Sequence, residues 1–315
     1  MKQFQKIYVE ITDYCALNCG FCPSGGRKSR RGQMDLELFR QICTQIQGKT
    51  KRVCLHILGD PLSARDFEHY AKTLAHFGLK VELVTTGLFL HKQHFAMLSR
   101  PPFVQVCFSL SAFVANPCVL TMQHLEQILY FCAFNLEQNS PIFINLRLHE
   151  GDMHKPLAQD ILARIYRFFH VREDEMTQGR IRLGKKVLLI FTRVFEWEQV
   201  FEKERRDMAN VRALKVYKAK ARETKQPLQE SKPFSKTQDS ILCYGASGQI
   251  GILSNGELVP CCIDYEGRAS FGNVRERDIK SMLDSINFRH FASMLKQGKA
   301  PCELCQKCGY KYILG

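Results

Sequence analysis

Cys15-Ala-Leu-Asn-Cys19-Gly-Phe-Cys22 stands directly behind a β-branched run, Ile7–Thr12. Its reading decides the fold. Three thiols fall within eight residues, and Asn18 and Gly20 between them tolerate tight turns. Such a loop lets the thiolates converge on one soft metal centre. A closed structural zinc site needs a fourth ligand, whereas an iron–sulfur cubane held by three cysteines leaves one iron open. An open iron can bind a small chelate and pass it an electron. The whole chain carries 14 cysteines. Its beginning, MKQFQKIYVE, lacks the apolar stretch of a signal peptide, so a cytoplasmic location is expected. Thiols stay reduced there, which points to metal or redox chemistry rather than disulfides. Apolar runs such as Val187–Phe191 fall far short of the roughly 20 residues of a membrane span, so no membrane association is expected.

Outward from this loop, short β-branched runs alternate with longer amphipathic stretches. Val53–Ile57, Lys80–Val84, Val104–Ser109, Ile142–Leu148 and Val187–Phe191 join Ile7–Thr12 as expected strands. Asp35–Gln47, Ala64–His76, His91–Ser99, Met122–Asn135 and Pro156–Phe169 carry helical spacing. Repeated strand–helix alternation implies a parallel sheet with right-handed crossovers, either a barrel or a doubly wound sheet. Six such strands suit an incomplete barrel. Glu196–Lys225 is charged and helix-compatible, and Gln226–Gln238 reads as a linker. Beyond it, Asn255-Gly256 between Gln249–Ile252 and Glu257–Val259 signals a hairpin. Two short helices are expected near Ile279–Ser285 and Phe288–Gln297.

The C-x3-C-x2-C spacing, with aromatic Phe21 before the last cysteine, resembles the signature of the radical S-adenosylmethionine (radical SAM) superfamily. The resemblance spans roughly Lys6 to Phe191. It implies an α/β fold, a partial (β/α)6 TIM-like barrel, with a 4Fe–4S cluster on Cys15, Cys19 and Cys22 at its C-terminal mouth. It also implies S-adenosylmethionine on the open iron, cleaved to a 5′-deoxyadenosyl radical that abstracts a substrate hydrogen. Gly59-Asp60-Pro61 ends the second strand where the family carries Gly-Glu-Pro. Glycine lets the backbone come close, and the carbonyl and carboxylate that follow offer acceptors to the methionine ammonium. Thr85-Thr86-Gly87 stands where the family often has Thr-Asn-Gly, and Thr86 departs from that pattern. Ser109 ends the fourth strand, where a serine often reaches the cofactor. Asn145 and Arg147 on the fifth strand either face the barrel mouth or decorate an exposed face.

A second thiol group, Cys243, Cys261, Cys262, Cys302, Cys305 and Cys308, occupies the last 73 residues. Two thiolates from its front and two from a C-x2-C element suffice for a cubane or a zinc tetrahedron, and spacing alone does not choose between them. The layout resembles the SPASM and shorter twitch extensions of radical SAM enzymes, which carry auxiliary 4Fe–4S clusters in a small α+β cysteine-rich domain. On that resemblance one auxiliary cluster is expected, on Cys243, Cys261, Cys302 and Cys305. Cys262 and Cys308 are then spare: adjacent residues of an extended strand point to opposite faces, which turns Cys262 away from Cys261, and Cys302 with Cys305 already gives the shortest chelate. The domain expectation is a core over 1–200, a basic connector over 201–240 and an auxiliary domain over 241–315. Cys43, Cys54, Cys107, Cys118 and Cys132 stand singly among apolar residues and read as packing residues. His56 reads as a satisfied hydrogen-bonding residue.

The formal charge is +14, and the stretch from Glu202 to Lys236 alone supplies +6, eleven bases against five acids. The rest is mildly basic and carries no aromatic-and-basic recognition motif, so nucleic acid is permitted but not favoured. The leading reading is an enzyme acting on a peptide, protein or small molecule, fed by an external one-electron reductant such as flavodoxin or ferredoxin. The alternatives are an RNA-modifying enzyme of the same superfamily and a non-catalytic iron–sulfur or zinc protein.

Overall fold

The computed structural model describes residues 3–26, 29–195 and 243–310. The helix expected over Glu196–Lys225 and the linker over Gln226–Gln238 lie outside the described residues. Five strand–helix units open the chain: β1 (Phe4–Val9) with α1 (Leu36–Ile46), β2 (Thr50–Cys54) with α2 (Phe67–His76), β3 (Val81–Thr85) with α3 (Lys92–Leu98), β4 (Phe103–Ser109) with α4 (Ser111–Ala115) and α5 (Met122–Glu137), and β5 (Phe143–His149) with α6 (Pro156–Phe169). β6 (Arg180–Arg182) and β7 (Val187–Thr192) follow. After the undescribed stretch come β8 (Gln249–Ile252), β9 (Leu258–Val259), α7 (Ile279–Leu283), α8 (Ile286–Lys296) and α9 (Glu303–Lys307).

All nine strands lie in one open sheet, in the order β6-β7-β5-β4-β3-β2-β1-β8-β9. β7, β5, β4, β3, β2 and β1 are the six parallel strands read from the sequence. β6 caps one edge antiparallel to β7, and three residues are too short a run to announce it. β8 adds parallel to β1, with Ile7 opposite Ile250, so the cysteine-rich region continues the sheet of the barrel. The hairpin from β8 to β9 turns at Gly256, whose φ is +96°. A Cβ there would lie 2.6 Å from Asn273 Oδ1, so both conformation and space demand glycine.

Helix ends follow local chemistry. Asp35 caps α1 by accepting from Leu38 N at 2.8 Å, and Asp278 and Ser285 cap α7 and α8 in the same way. Parity on the strands separates two faces. Ile7 and Val9 of β1, Val53 of β2, Leu83 of β3 and Leu146 of β5 have no exposed surface and pack under the helices. Each full burial of this kind contributes about 1.5–3 kcal/mol. The opposite face of the strands mixes Tyr8 and Cys54 with Lys6, Arg52, Glu82, Gln105, Asn145 and Arg147, which hydrogen-bond or ion-pair with one another or with Cys107. A parallel strand buried on both faces normally reads as continuously apolar. This sheet instead places a charged and amide group beside a small apolar cluster on that face.

Candidate active site

The Cys15–Cys22 loop leaves β1 at the C-terminal end of the sheet. Cys22 N donates to Cys19 O at 2.9 Å and closes the turn between the second and third thiols. Cys19 is buried, and Cys15 and Cys22 are half-buried. Burial pushes the Cys15 thiol up to about 11 and the Cys19 thiol up to about 12, with the neighbouring thiols adding to both. Asn116, at the end of α4, reaches across to this loop: its Nδ2 donates to Cys19 Sγ at 3.1 Å, and its Oδ1 accepts from Asn18 N at 3.1 Å. Nothing in the sequence announces that contact, which joins residues 97 positions apart.

The turn after β2 packs directly onto the loop. A Cβ on Gly59 would lie 2.0 Å from Thr12 O and 2.9 Å from Tyr14 O, both backbone, so only glycine fits. Asp60 N donates to Tyr14 O at 2.9 Å, and Pro61 opens a short 3-10 turn, Pro61–Ser63. The Asp60 carboxylate is buried and accepts four bonds: from Leu62 N (3.1 Å), Thr85 Oγ1 (2.7 Å), Thr86 N (2.9 Å) and Thr86 Oγ1 (2.6 Å). A carboxylate offers about four acceptor sites, so these are filled. Thr86, which departs from the family pattern, therefore ties the third strand to this turn.

Residues of the other strand ends complete the mouth. Ser109 is half-buried beside Arg147 in register, while Ser111 Oγ is buried and accepts from His149 N at 2.7 Å. The Phe21 ring meets the His149 ring edge-on, centroids 4.5 Å apart. Deeper in the lumen, buried Glu82 gathers Lys6 Nζ at 2.8 Å, Arg52 Nη1 at 3.3 Å and Arg147 Nη2 at 3.9 Å. Burial works to raise its carboxyl, but Lys6, His56 and Arg147 outweigh that and hold it below the usual carboxylate range. Asn145 likewise faces inward, toward Cys107 Sγ at 3.8 Å. His56 corrects its expectation: Nδ1 is buried without a hydrogen-bond partner, and burial lowers the imidazole to about 4. Cys118 is a second correction, since it is exposed in the turn after α4, whereas Cys43, Cys54, Cys107 and Cys132 are buried.

The second thiol group comes together from three separate segments. Cys243, Cys261, Cys305 and Cys308 line a cavity of about 40 Å³, walled also by Phe291 and Leu295 of α8. Cys302 Sγ lies 3.6 Å from Cys305 Sγ at the start of α9. Gly245 N donates to Cys243 Sγ at 3.4 Å. Cys262 turns the other way, packing against the apolar cluster that holds Tyr8 and Cys54. Soft thiols gathered at both places suit iron–sulfur groups, and at the first the backbone is tight enough to exclude a Cβ at Gly59.

A family model of the radical SAM superfamily matches residues 9–119, and the SPASM model, an iron–sulfur cluster-binding domain, matches residues 243–309. The chain belongs to the radical SAM superfamily. It is an enzyme of that superfamily with a SPASM-type C-terminal domain, and its cofactors are S-adenosylmethionine and 4Fe–4S clusters. No curated protein matches it by sequence. Solved structures share the fold: BtrN in complex with AdoMet and 2-DOIA is 18% identical, with a TM-score of 0.53, 98% of this chain and 94% of that one covered. SuiB of Streptococcus suis bound to precursor peptide SuiA is 15% identical, with a TM-score of 0.57, 99% of this chain and 71% of that one covered. The anSMEcpe structure with bound AdoMet and Cp18Cys peptide is 12% identical, with a TM-score of 0.57, 98% of this chain and 87% of that one covered.

A buried brace joins the two matched regions of this radical SAM enzyme. Glu10, without exposed surface, accepts from Arg31 Nη2 at 2.8 Å, Leu58 N at 3.2 Å and Ser254 N at 3.2 Å. Arg31 Nη1 donates onward to Tyr265 O at 2.8 Å. Arg31 Nε is buried without a partner, so this charge pair fixes relative position more than it adds stability. Sequence reading missed Glu10, Arg31, Asn116 and His149. For Glu10 and His149 the signal was present, a polar residue at lumen parity in a buried strand. Among the described residues no helix is long and apolar enough to cross a membrane.

Proposed function

We propose that this enzyme cleaves S-adenosylmethionine reductively at the Cys15–Cys22 loop and abstracts hydrogen from a peptide, a protein side chain or a small molecule, using one auxiliary 4Fe–4S cluster. The observation that carries this reading is the packing of the Gly59–Pro61 turn on a loop with three unpaired thiols, at the C-terminal ends of parallel strands. Cys15, Cys19 and Cys22 hold the first cluster. The chemistry supplied there is one-electron cleavage of the cofactor to a 5′-deoxyadenosyl radical. Gly59 and Pro61 shape a turn whose backbone carbonyls face the methionine ammonium, and Asp60 props that turn through its four internal donors. Ser109 contacts the cofactor from β4, and Phe21 against His149 screens the loop from water. Cys243, Cys261, Cys302 and Cys305 would hold the auxiliary cluster, which would supply an electron acceptor or a substrate anchor.

In this reading residues 1–200 are the core, 201–240 the connector and 241–315 the auxiliary domain. The electron comes from an external carrier such as flavodoxin or ferredoxin. Buried single thiols such as Cys43, Cys54, Cys107 and Cys132 suit the reducing cytoplasm. Electron paramagnetic resonance of the reduced, reconstituted protein tests the reading. S-adenosylmethionine should perturb one of two cluster signals, because only a cluster with an open iron can bind it. A spectrum unchanged by the cofactor would sink the proposal.

A further inference from the structure

Asn116 ends α4. Its backbone N–H donates to Ala112 O at 3.0 Å and Phe113 O at 3.2 Å, and its φ of −136° takes the chain out of the helix. The side-chain amide makes three further bonds. Oδ1 accepts from Asn18 N at 3.1 Å, while Nδ2 donates to Ala112 O at 3.0 Å and to Cys19 Sγ at 3.1 Å. The orientation of the amide is forced. A backbone N–H can only donate and a carbonyl can only accept, so the oxygen must face Asn18 and the nitrogen must face Ala112. The second amide hydrogen is then aimed at sulfur. Cys19 is 6% exposed, so little water competes for that sulfur.

We propose that Asn116 is a positioning residue that raises the reduction potential of the cluster on the Cys15–Cys22 loop, by donating a hydrogen bond to the Cys19 thiolate. The inference rests on the assignment of Cys19 as an iron ligand. A donor at a ligand sulfur stabilises the reduced, more negative state over the oxidised one, and such bonds are among the levers that set iron–sulfur potentials. The bond also ties the Cys15–Cys22 loop to the end of α4.

The test is a redox titration followed by electron paramagnetic resonance, on the reconstituted full chain without S-adenosylmethionine, with iron counted in each sample. Asn116→Ala removes the donor. Asn116→Asp keeps an acceptor for Asn18 N but sets a carboxylate oxygen toward the sulfur. Both should retain the cluster and lower its reduction equilibrium, Asn116→Ala by about tenfold (roughly 59 mV for one electron) and Asn116→Asp by more. The auxiliary cluster is the internal reference and should keep its potential. An unchanged potential with full iron in either variant overturns the proposal. Loss of the loop cluster from both variants overturns it too, by reducing Asn116 to a structural tie. A wild-type spectrum that ignores S-adenosylmethionine instead strikes the functional reading, and the comparison of potentials stands apart from it.

Discussion

The two thiol groups of this protein are built in opposite ways. Cys15, Cys19 and Cys22 occupy one loop, closed by a local bond from Cys22 N to Cys19 O and leaning on a rigid neighbouring turn. Cys243, Cys261, Cys302, Cys305 and Cys308 come from segments before β8, after β9 and around α9, and meet only because β8 pairs with β1 and α8 walls the cavity. The first site is a property of a short peptide presented by a scaffold. The second is a property of the folded chain. Local sites survive distant perturbation, whereas gathered sites inherit the stability of every element that gathers them.

The largest expected effect breaks the comparison cleanly. Reconstituted protein should carry about eight iron and eight sulfide, from two 4Fe–4S clusters. Cys15→Ala, Cys19→Ala or Cys22→Ala should leave about four iron and abolish cofactor cleavage, while Cys261→Ser should lose the other four and spare the loop. Iron and sulfide assays decide it. If Cys261→Ser also empties the loop, the two sites are not independent and the Glu10–Arg31 brace transmits the damage.

Between the sites, His56 offers a pH test. Its imidazole is held at about 4 by burial, against about 6.5 in the unfolded chain. As pH falls the unfolded chain takes up the proton first. This contribution to stability is therefore complete above about pH 6.5 and lost between about 6.5 and 4, in total about 3 kcal/mol. Urea unfolding of the apoprotein across that window should show the loss, and His56→Phe should flatten it. Equal slopes in the two proteins would show that the imidazole finds a partner in solution.

Asp60→Ala sharpens what the loop owes to its neighbour. Four donors lose their acceptor and the turn loosens; if that costs the cofactor one hydrogen bond from its ammonium to a backbone carbonyl, worth about 1.5–3 kcal/mol, affinity for S-adenosylmethionine falls about tenfold to hundredfold. Calorimetric titration reads the affinity and an iron assay confirms that the cluster persists. Unchanged affinity would make the turn a turn and nothing more.

The smallest expected effects concern the two remaining thiols. Cys262→Ser and Cys308→Ser should keep all the iron, because Cys262 faces Tyr8 and Cys302 stands beside Cys305. Cys308 lines the cavity as well, so this is where the gathered site is most open to correction. Loss of half the iron from Cys308→Ser, with none lost from Cys302→Ser, would exchange the two ligands.

The sequence by itself determined the six parallel strands, their helices, the β8–β9 hairpin and the cluster loop, because each rests on short-range periods or turn chemistry that any window of the chain displays. It also exposed the need for glycine at Gly59, though not the reason. Only the tertiary structure decided that β8 extends the barrel's own sheet, that Asp60 spends its acceptors on Thr85 and Thr86, and that Asn116 reaches Cys19. It alone left His56 Nδ1 without a partner. Those outcomes depend on distances between residues tens to hundreds of positions apart. Such distances are set when strand register and helix packing close, and a lone asparagine or histidine in a sequence carries no mark of its eventual neighbour.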